Sequence, residues 1–194
     1  FQGGEPLTNF DVIKYIVEYS KENANGKYIE YNLVSNLILL TDEMIDFFEE
    51  NNVSICTSID GNEELQNINR PYSKGNSYQE TIKQIKKLRK RNINVSAIQT
   101  TTKYSLSRYK EIVDEYINLG INSIFVRPLT KLGKADSNWK NIGYDADDFL
   151  KFYRKILEYI IQKNKSPIDF SIGVYFIQST VQTLICTFSS LIQT

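Results

Sequence analysis

Near the start of the chain, Gly3-Gly4-Glu5-Pro6 combines two residues without side chains, a carboxylate and a stiff ring. Adjacent glycines let backbone N–H and C=O groups approach a ligand closely and adopt positive φ. Pro6 then stiffens the turn that follows. Glu5 carries an acceptor-only carboxylate, suited to an ammonium group. The same four residues also describe an ordinary loop with a solvated glutamate, so the tetrapeptide alone leaves both readings open. Other chemistry is excluded outright. The chain contains no histidine, so Ser-His-Asp and Cys-His catalysis and His-ligated metal sites cannot be built within it. Its two cysteines, Cys56 and Cys186, are far apart and in no CxxC pattern. They provide no disulfide framework, no zinc knot and no self-contained iron–sulfur site, and they fit a reducing compartment.

The elements that must position these residues follow from hydrophobic spacing. Helical periodicity runs from 9 to 24, with Thr8 or Asn9 as N-cap, and Thr41 caps a second helix led by Asp42 and Glu43. Ser77-Tyr78-Gln79-Glu80 reads as a capping box opening a third helix. A fourth runs from about Ser105 to Leu119-Gly120, and a long one from Asp145 to Lys163. Strands are expected at 27–36, 53–60, 94–101 and 122–129, with Phe1 and Gln2 ending an earlier one. Strand–helix alternation without hairpin turns implies right-handed parallel βα units. About five units fit a slice of a (β/α) barrel or an open doubly wound sheet.

In such folds ligands meet the carboxyl ends of the strands. Those ends are Gly3–Glu5, Ser35–Asn36, Ser58–Asp60, Gln99–Thr102 and Arg127. In the strand at 53–60, Val53, Ile55 and Ile59 share one face, and Ser54, Cys56, Ser58 and Asp60 the other. Glu30, Asn32 and Asn36 likewise share a face, and so do Ser123 and Arg127, split by Phe125. Apolar residues therefore meet the helices, and small or polar ones line a cavity.

With those strand ends in order, the chain resembles the radical S-adenosylmethionine (SAM) superfamily. It is most similar to the peptide- and protein-modifying members with a SPASM-type extension. The stretches that carry the resemblance are FQGGEPLTNFDVIKYIVE, SNLILLTDEMIDFFEENNVSICTSIDG, NRPYSKGNSYQETIKQIKKLRK, VSAIQTTT and SIFVRPL, over roughly residues 1 to 135. Within the superfamily it looks most like the His-Xaa-Ser system maturases, with the anaerobic sulfatase-maturating enzymes as relatives. The resemblance implies an α/β fold, a partial (β/α)6 barrel with parallel strands and helices outside. It implies SAM and a [4Fe–4S] cluster as cofactors, and a peptide or small protein as substrate. By the same match Gly3, Gly4, Glu5 and Pro6 would hold the SAM ammonium group. Ser58 would contact the ribose, Asp60 would line the same cavity, and Asn36 would lie near SAM. Arg127 is a candidate for the cofactor and Arg70 a weaker one for the substrate.

The family's CxxxCxxC motif is expected ahead of the first strand and is not in this sequence. Residues 1–165 are thus expected to form an N-terminally truncated barrel beginning at the end of its second strand, unable to hold the cluster by itself. Residues 166–194 form a tail without charge from Phe170 on, to be read as a buried strand and helix or as non-native sequence. Zero net charge gives no footprint for nucleic acid, and no stretch has the length and apolarity of a membrane span, so a cytoplasmic setting is expected. Two alternatives remain at this point. One is a non-catalytic peptide-binding barrel. The other is an unrelated barrel enzyme for phosphorylated substrates, hinted at by Gly133 between Lys131 and Lys134.

Overall fold

The computed structural model describes residues 1–165 and 170–174. A 3-10 turn at Pro6–Asn9 leads into α1, Phe10–Glu22. There follow β1, Asn32–Val34; α2, Asp42–Glu50; and β2, Ser54–Ser58. Next come α3, Glu63–Asn69; α4, Ser77–Lys90; and β3, Val95–Thr101. After a short 3-10 turn at Lys103–Ser105 come α5, Tyr109–Asn118, and β4, Ser123–Pro128. The last elements are α6, Lys134–Ser137; α7, Trp139–Ile142; α8, Ala146–Lys163; and β5, Ser171–Val174. The sheet has five strands in the order β1-β2-β3-β4-β5, and the β1–β2, β3–β4 and β4–β5 pairings are parallel. This is the expected α/β architecture.

The described chain divides into two compact units, Phe1–Ser58 with Gly75–Ser96, and Ile59–Lys74 with the chain from Ala97 onward. In the first, the apolar stripe of α1 (Phe10, Ile13 and Val17) is buried, as are Ile45 and Phe48 of α2 and Leu33 and Ile55 of the strands. Phe10 meets Phe47 and Phe48 edge to face, at centroid separations of 5.5 and 5.7 Å. Leu33 lies opposite Ile55 in the register. The backbone of Phe1 brackets Leu33 as well. Its nitrogen donates to Asn32 O, and its carbonyl accepts from Val34 N at 2.9 Å. That is the hydrogen-bond pattern of a parallel bridge, as expected for residues ending a strand.

In the second unit, α8 turns Phe149, Phe152, Ile156 and Ile160 inward at helical spacing, and Ile112, Val113 and Tyr116 of α5 are buried too. The Tyr116 hydroxyl donates to Ile59 O at 2.7 Å. The charge-free tail begins as a member of this sheet. Ser171 pairs with Ser123 and Ile172 with Ile124, and the Asn164 side chain holds Phe170 through both its backbone groups. Residues 175–194 lie outside the described residues.

Several expectations are refined. The first strand is three residues rather than ten, following positive φ at Asn25 and Gly26. Asn76, not Ser77, caps α4 by accepting from Gln79 N. The first helix begins at Phe10 with Asn9 at its N-cap position, as expected, but without a side-chain capping bond; Glu5 caps the 3-10 turn that precedes it. The sequence reading had no counterpart for α3, whose seven residues carry only Leu65 as a buried apolar anchor; Asn62 caps it.

Gly61 makes the turn between β2 and α3 possible. Its φ is +151°, and a Cβ there would lie 2.9 Å from Leu65 Cδ2 and 3.2 Å from Ile112 Cγ1, both fully buried side chains. Gly61→Ala in the full-length protein is therefore expected to destabilise it by about 1–3 kcal/mol through strain and overpacking. Urea unfolding checks this; an unchanged midpoint would refute it.

Candidate functional site

Two strand-end carboxylates, one in each unit, organise the polar residues nominated by the sequence. They are held in different ways.

In the first unit, Glu5 is half-buried and its carboxylate accepts three hydrogen bonds. Oε1 receives Leu7 N–H at 3.1 Å and the Ser35 hydroxyl at 2.7 Å, and Oε2 receives Asn36 N–H at 3.0 Å. Leu7 N is one of the unsatisfied donors that any helical turn exposes at its start. Ser35 and Asn36 follow β1 directly, so the strand end presents both donors to the loop. Ser35 is 3% exposed and also accepts from Leu37 N–H at 2.9 Å. The Asn36 side chain turns back to accept Ile38 N–H at 2.9 Å. All three donors to Glu5 are neutral. Among the described residues no basic side chain pairs with it, and the Phe1 nitrogen goes to Asn32 O instead. Gly3 has φ +155°, and a Cβ on Gly3 or Gly4 would meet nothing within 4 Å. At Gly4 the surrounding chain imposes no steric demand for glycine; the space beside it is open.

In the second unit, Asp60 is 1% exposed. Arg70 grips it with a fork, Nε to Oδ2 at 2.8 Å and one terminal nitrogen to Oδ1 at 3.2 Å. Oδ1 also accepts Thr100 N–H at 2.9 Å, and Asp60 N–H donates to Gln66 Oε1 at 2.7 Å. Arg70 is placed for this as the residue ending α3, its N–H bonded to Gln66 O. Its guanidinium reaches Thr100 Oγ1 as well, at 3.3 Å. The pair ties the end of α3 to β3.

Of the residues nominated from sequence, Glu5 and Asn36 come together in one hydrogen-bonded cluster with Gly3, Gly4 and Pro6 in the same loop. Asp60 and Arg70 form a second. Arg127 is half-buried on β4, in register with Thr100. Ser58, also half-buried, is the last residue of β2. Ser35, Gln66 and Thr100 were not singled out individually. For Ser35 the available signal was its place at a strand end beside Asn36. Cys56 is a packed thiol on β2: burial pushes its pKa up, a hydrogen bond from Ser96 opposes that, and its Sγ lies 3.8 Å from Thr57 O. The Gly133 loop gives the phosphate alternative no support, because Lys131 is turned to Asp136 and to the Trp139 ring.

A parallel five-stranded β/α scaffold with helices between its strands is the architecture of a partial (β/α) barrel. Residues 1–102 match the family model described as the radical SAM superfamily, more than half of the chain, and the chain belongs to that superfamily. Over 125 residues it is 34% identical to an uncharacterized protein of Methanocaldococcus jannaschii, covering 64% of this chain and 43% of that protein. A serine-type anaerobic sulfatase-maturating enzyme of Bacteroides thetaiotaomicron is 32% identical over 126 residues, covering 60% of this chain and 30% of the enzyme. The chain thus spans under half the length of these relatives. The solved structure of native anSMEcpe with bound AdoMet and Kp18Cys peptide superposes with a TM-score of 0.77 at 19% identity, covering 89% of this chain and 48% of that one. It shows the shared fold.

No helix among the described residues is long and apolar enough to cross a membrane. Among the same residues no cluster of three or more His, Cys, Asp or Glu side chains is placed to hold a metal ion.

The Asp60–Arg70 fork carries a stability prediction. Arg70→Ala strands a buried carboxylate, and the expected loss is about 2–4 kcal/mol, below the usual cost of breaking a buried pair because Arg70 is partly exposed. Replacing both partners, as Asp60→Asn with Arg70→Gln, is expected to lose less than Arg70→Ala alone. Chemical denaturation of the full-length variants checks the order; a double variant less stable than the single one overturns it.

Proposed function

We propose that this chain is the SAM-holding part of an enzyme that modifies a peptide or protein, a maturase. The observation that carries the reading is Glu5: a half-buried carboxylate, fixed by three neutral donors, with no cationic partner among the described residues. An anion held in that way is a receptor for a cation, and the amino group of SAM is one. The open space at Gly3 and Gly4 lets a ligand reach the backbone beside that carboxylate. Asn36 contributes its backbone N–H to the same cluster. Ser58, the last residue of β2 in the same unit, is the group proposed for the ribose of the cofactor. In the second unit Asp60 keeps Arg70 oriented for an anionic part of the substrate.

SAM, when bound and reductively cleaved, supplies the group that abstracts hydrogen from a substrate in this superfamily. The residues described here would bind and orient it. They do not fit a [4Fe–4S] cluster. Three thiolates are needed from one site, whereas the chain has two cysteines, and Cys56 is a half-buried thiol whose pKa partial burial raises. No step is therefore assigned to a cluster held by these residues. Peptide or protein modification is supported by the names of the matched relatives, a sulfatase-maturating enzyme and a fold neighbour with a bound peptide.

Anaerobically reconstituted full-length protein is expected to form 5′-deoxyadenosine from SAM and reductant, and its absence sinks the enzymatic reading. Glu5→Ala in that protein is expected to weaken SAM binding by about 10- to 100-fold, the worth of a hydrogen bond to a charged group. Equilibrium binding that matches wild type rejects the ammonium role.

A further inference from the structure

The two oxygens of Glu5 are not equivalent, and Ser35 makes the difference. Oε1 already accepts two hydrogen bonds, from Leu7 N–H and the Ser35 hydroxyl, whereas Oε2 accepts one, from Asn36 N–H. A carboxylate oxygen has about two lone-pair sites, so Oε1 is saturated and Oε2 retains an acceptor site. The geometry points to Ser35 as a positioning residue: its hydroxyl locks the Glu5 carboxylate so that Oε2 is the oxygen offered to the amino group of the ligand. This inference rests on the proposed SAM reading and names the part of the site that discriminates ligands carrying an amino-acid moiety from those that lack it.

The hydroxyl is set for the task on both sides. At 3% exposure its proton has no solvent alternative, and the hydroxyl donates to Glu5 Oε1 while accepting from Leu37 N–H. The accepted bond, from Leu37 N–H, is made by a residue at φ +64°, and the neighbouring Asn36 N–H donates to Glu5 Oε2. Removing the hydroxyl leaves Oε1 with Leu7 N–H alone, across a flexible glutamate side chain. Both oxygens then compete for the same donors and the same ligand cation.

The test compares two probes on reconstituted full-length protein by equilibrium binding. SAM has the amino-acid moiety; 5′-methylthioadenosine has the same adenosine and methyl-bearing sulfur without it, the sulfur being a neutral thioether in place of the sulfonium. Each probe is compared with its own wild-type affinity. Ser35→Ala is expected to weaken SAM about 5- to 20-fold, the range of one hydrogen bond, while 5′-methylthioadenosine stays within about twofold of wild type. Ser35→Thr, which keeps a hydroxyl, is expected to bind both as wild type does. Ser35→Cys keeps the shape with a weak donor and should show the same SAM-selective loss where alanine impairs folding. Equal losses for both probes, or unchanged SAM affinity in the alanine and cysteine variants, overturn the positioning role. Wild-type protein that binds no SAM removes the functional proposal itself, and that outcome is separate from any result on Ser35.

Discussion

Hydrogen bonding at the end of β1 joins two pieces of chain that are far apart in sequence, and the glycine loop owes its position to it. The Glu5 carboxylate receives donors 2, 30 and 31 residues away, from Leu7, Ser35 and Asn36. Through them the loop, the first turn of the following helical segment and the strand end become one rigid feature. Without that tie, Gly3 and Gly4 would belong to a loop free to move, since two glycines in succession restrict the backbone very little. Apolar burial, of Phe10 and Ile13 on α1 and of Leu33 on β1, fixes the elements. The carboxylate fixes what lies at their ends.

The second unit uses the same device to another purpose. Asp60 also gathers three donors, but two come from a guanidinium and its exposure is 1%. Its charge is neutralised internally, so it braces α3 against β3 and keeps Arg70 in place. Glu5 is neutralised by no side chain among the described residues and keeps access to solvent. The contrast decides which carboxylate is a receptor and which is a brace. Ion pairs on the helices of the first unit, such as Lys87–Asp42 at 2.8 Å and Lys14–Glu43 at 3.4 Å, are exposed and contribute at most about 1 kcal/mol each. They play no part in this division of roles.

Much of this was legible in the sequence because strand periodicity is. Alternation at 53–59 separated Val53, Ile55 and Ile59, all buried, from Ser54, Cys56 and Ser58, and so located the polar strand ends. The helix at 146–163 was equally readable, since four apolar residues at spacings of three and four lie behind an aspartate cap. The partners of each carboxylate were not legible. Several of them depend on contacts across 30 or more residues, such as Ser35 with Glu5 and Thr100 with Asp60, which no local pattern encodes. The helix α3 escaped for a different reason: Glu63–Asn69 is short, polar and anchored by Leu65, so its periodicity is too weak to register.

Leu37 shows how the strand end is held in its shape. A non-glycine residue at φ +64° costs about 1–2 kcal/mol, and a bulky one is a real outlier. The Leu37 side chain is fully buried, however, and burial of a leucine contributes about 1.5–3 kcal/mol. Burial is of the same size as the backbone cost and offsets it, and the anchored side chain holds the backbone in the bend. A glycine at 37 would adopt the same φ freely but would anchor nothing, leaving the Ser35–Asn36 turn to its hydrogen bonds alone. Through its N–H the buried leucine ties the apolar core to the Ser35 hydroxyl that donates to Glu5, so one of the carboxylate's donors is held from beneath as well as beside it.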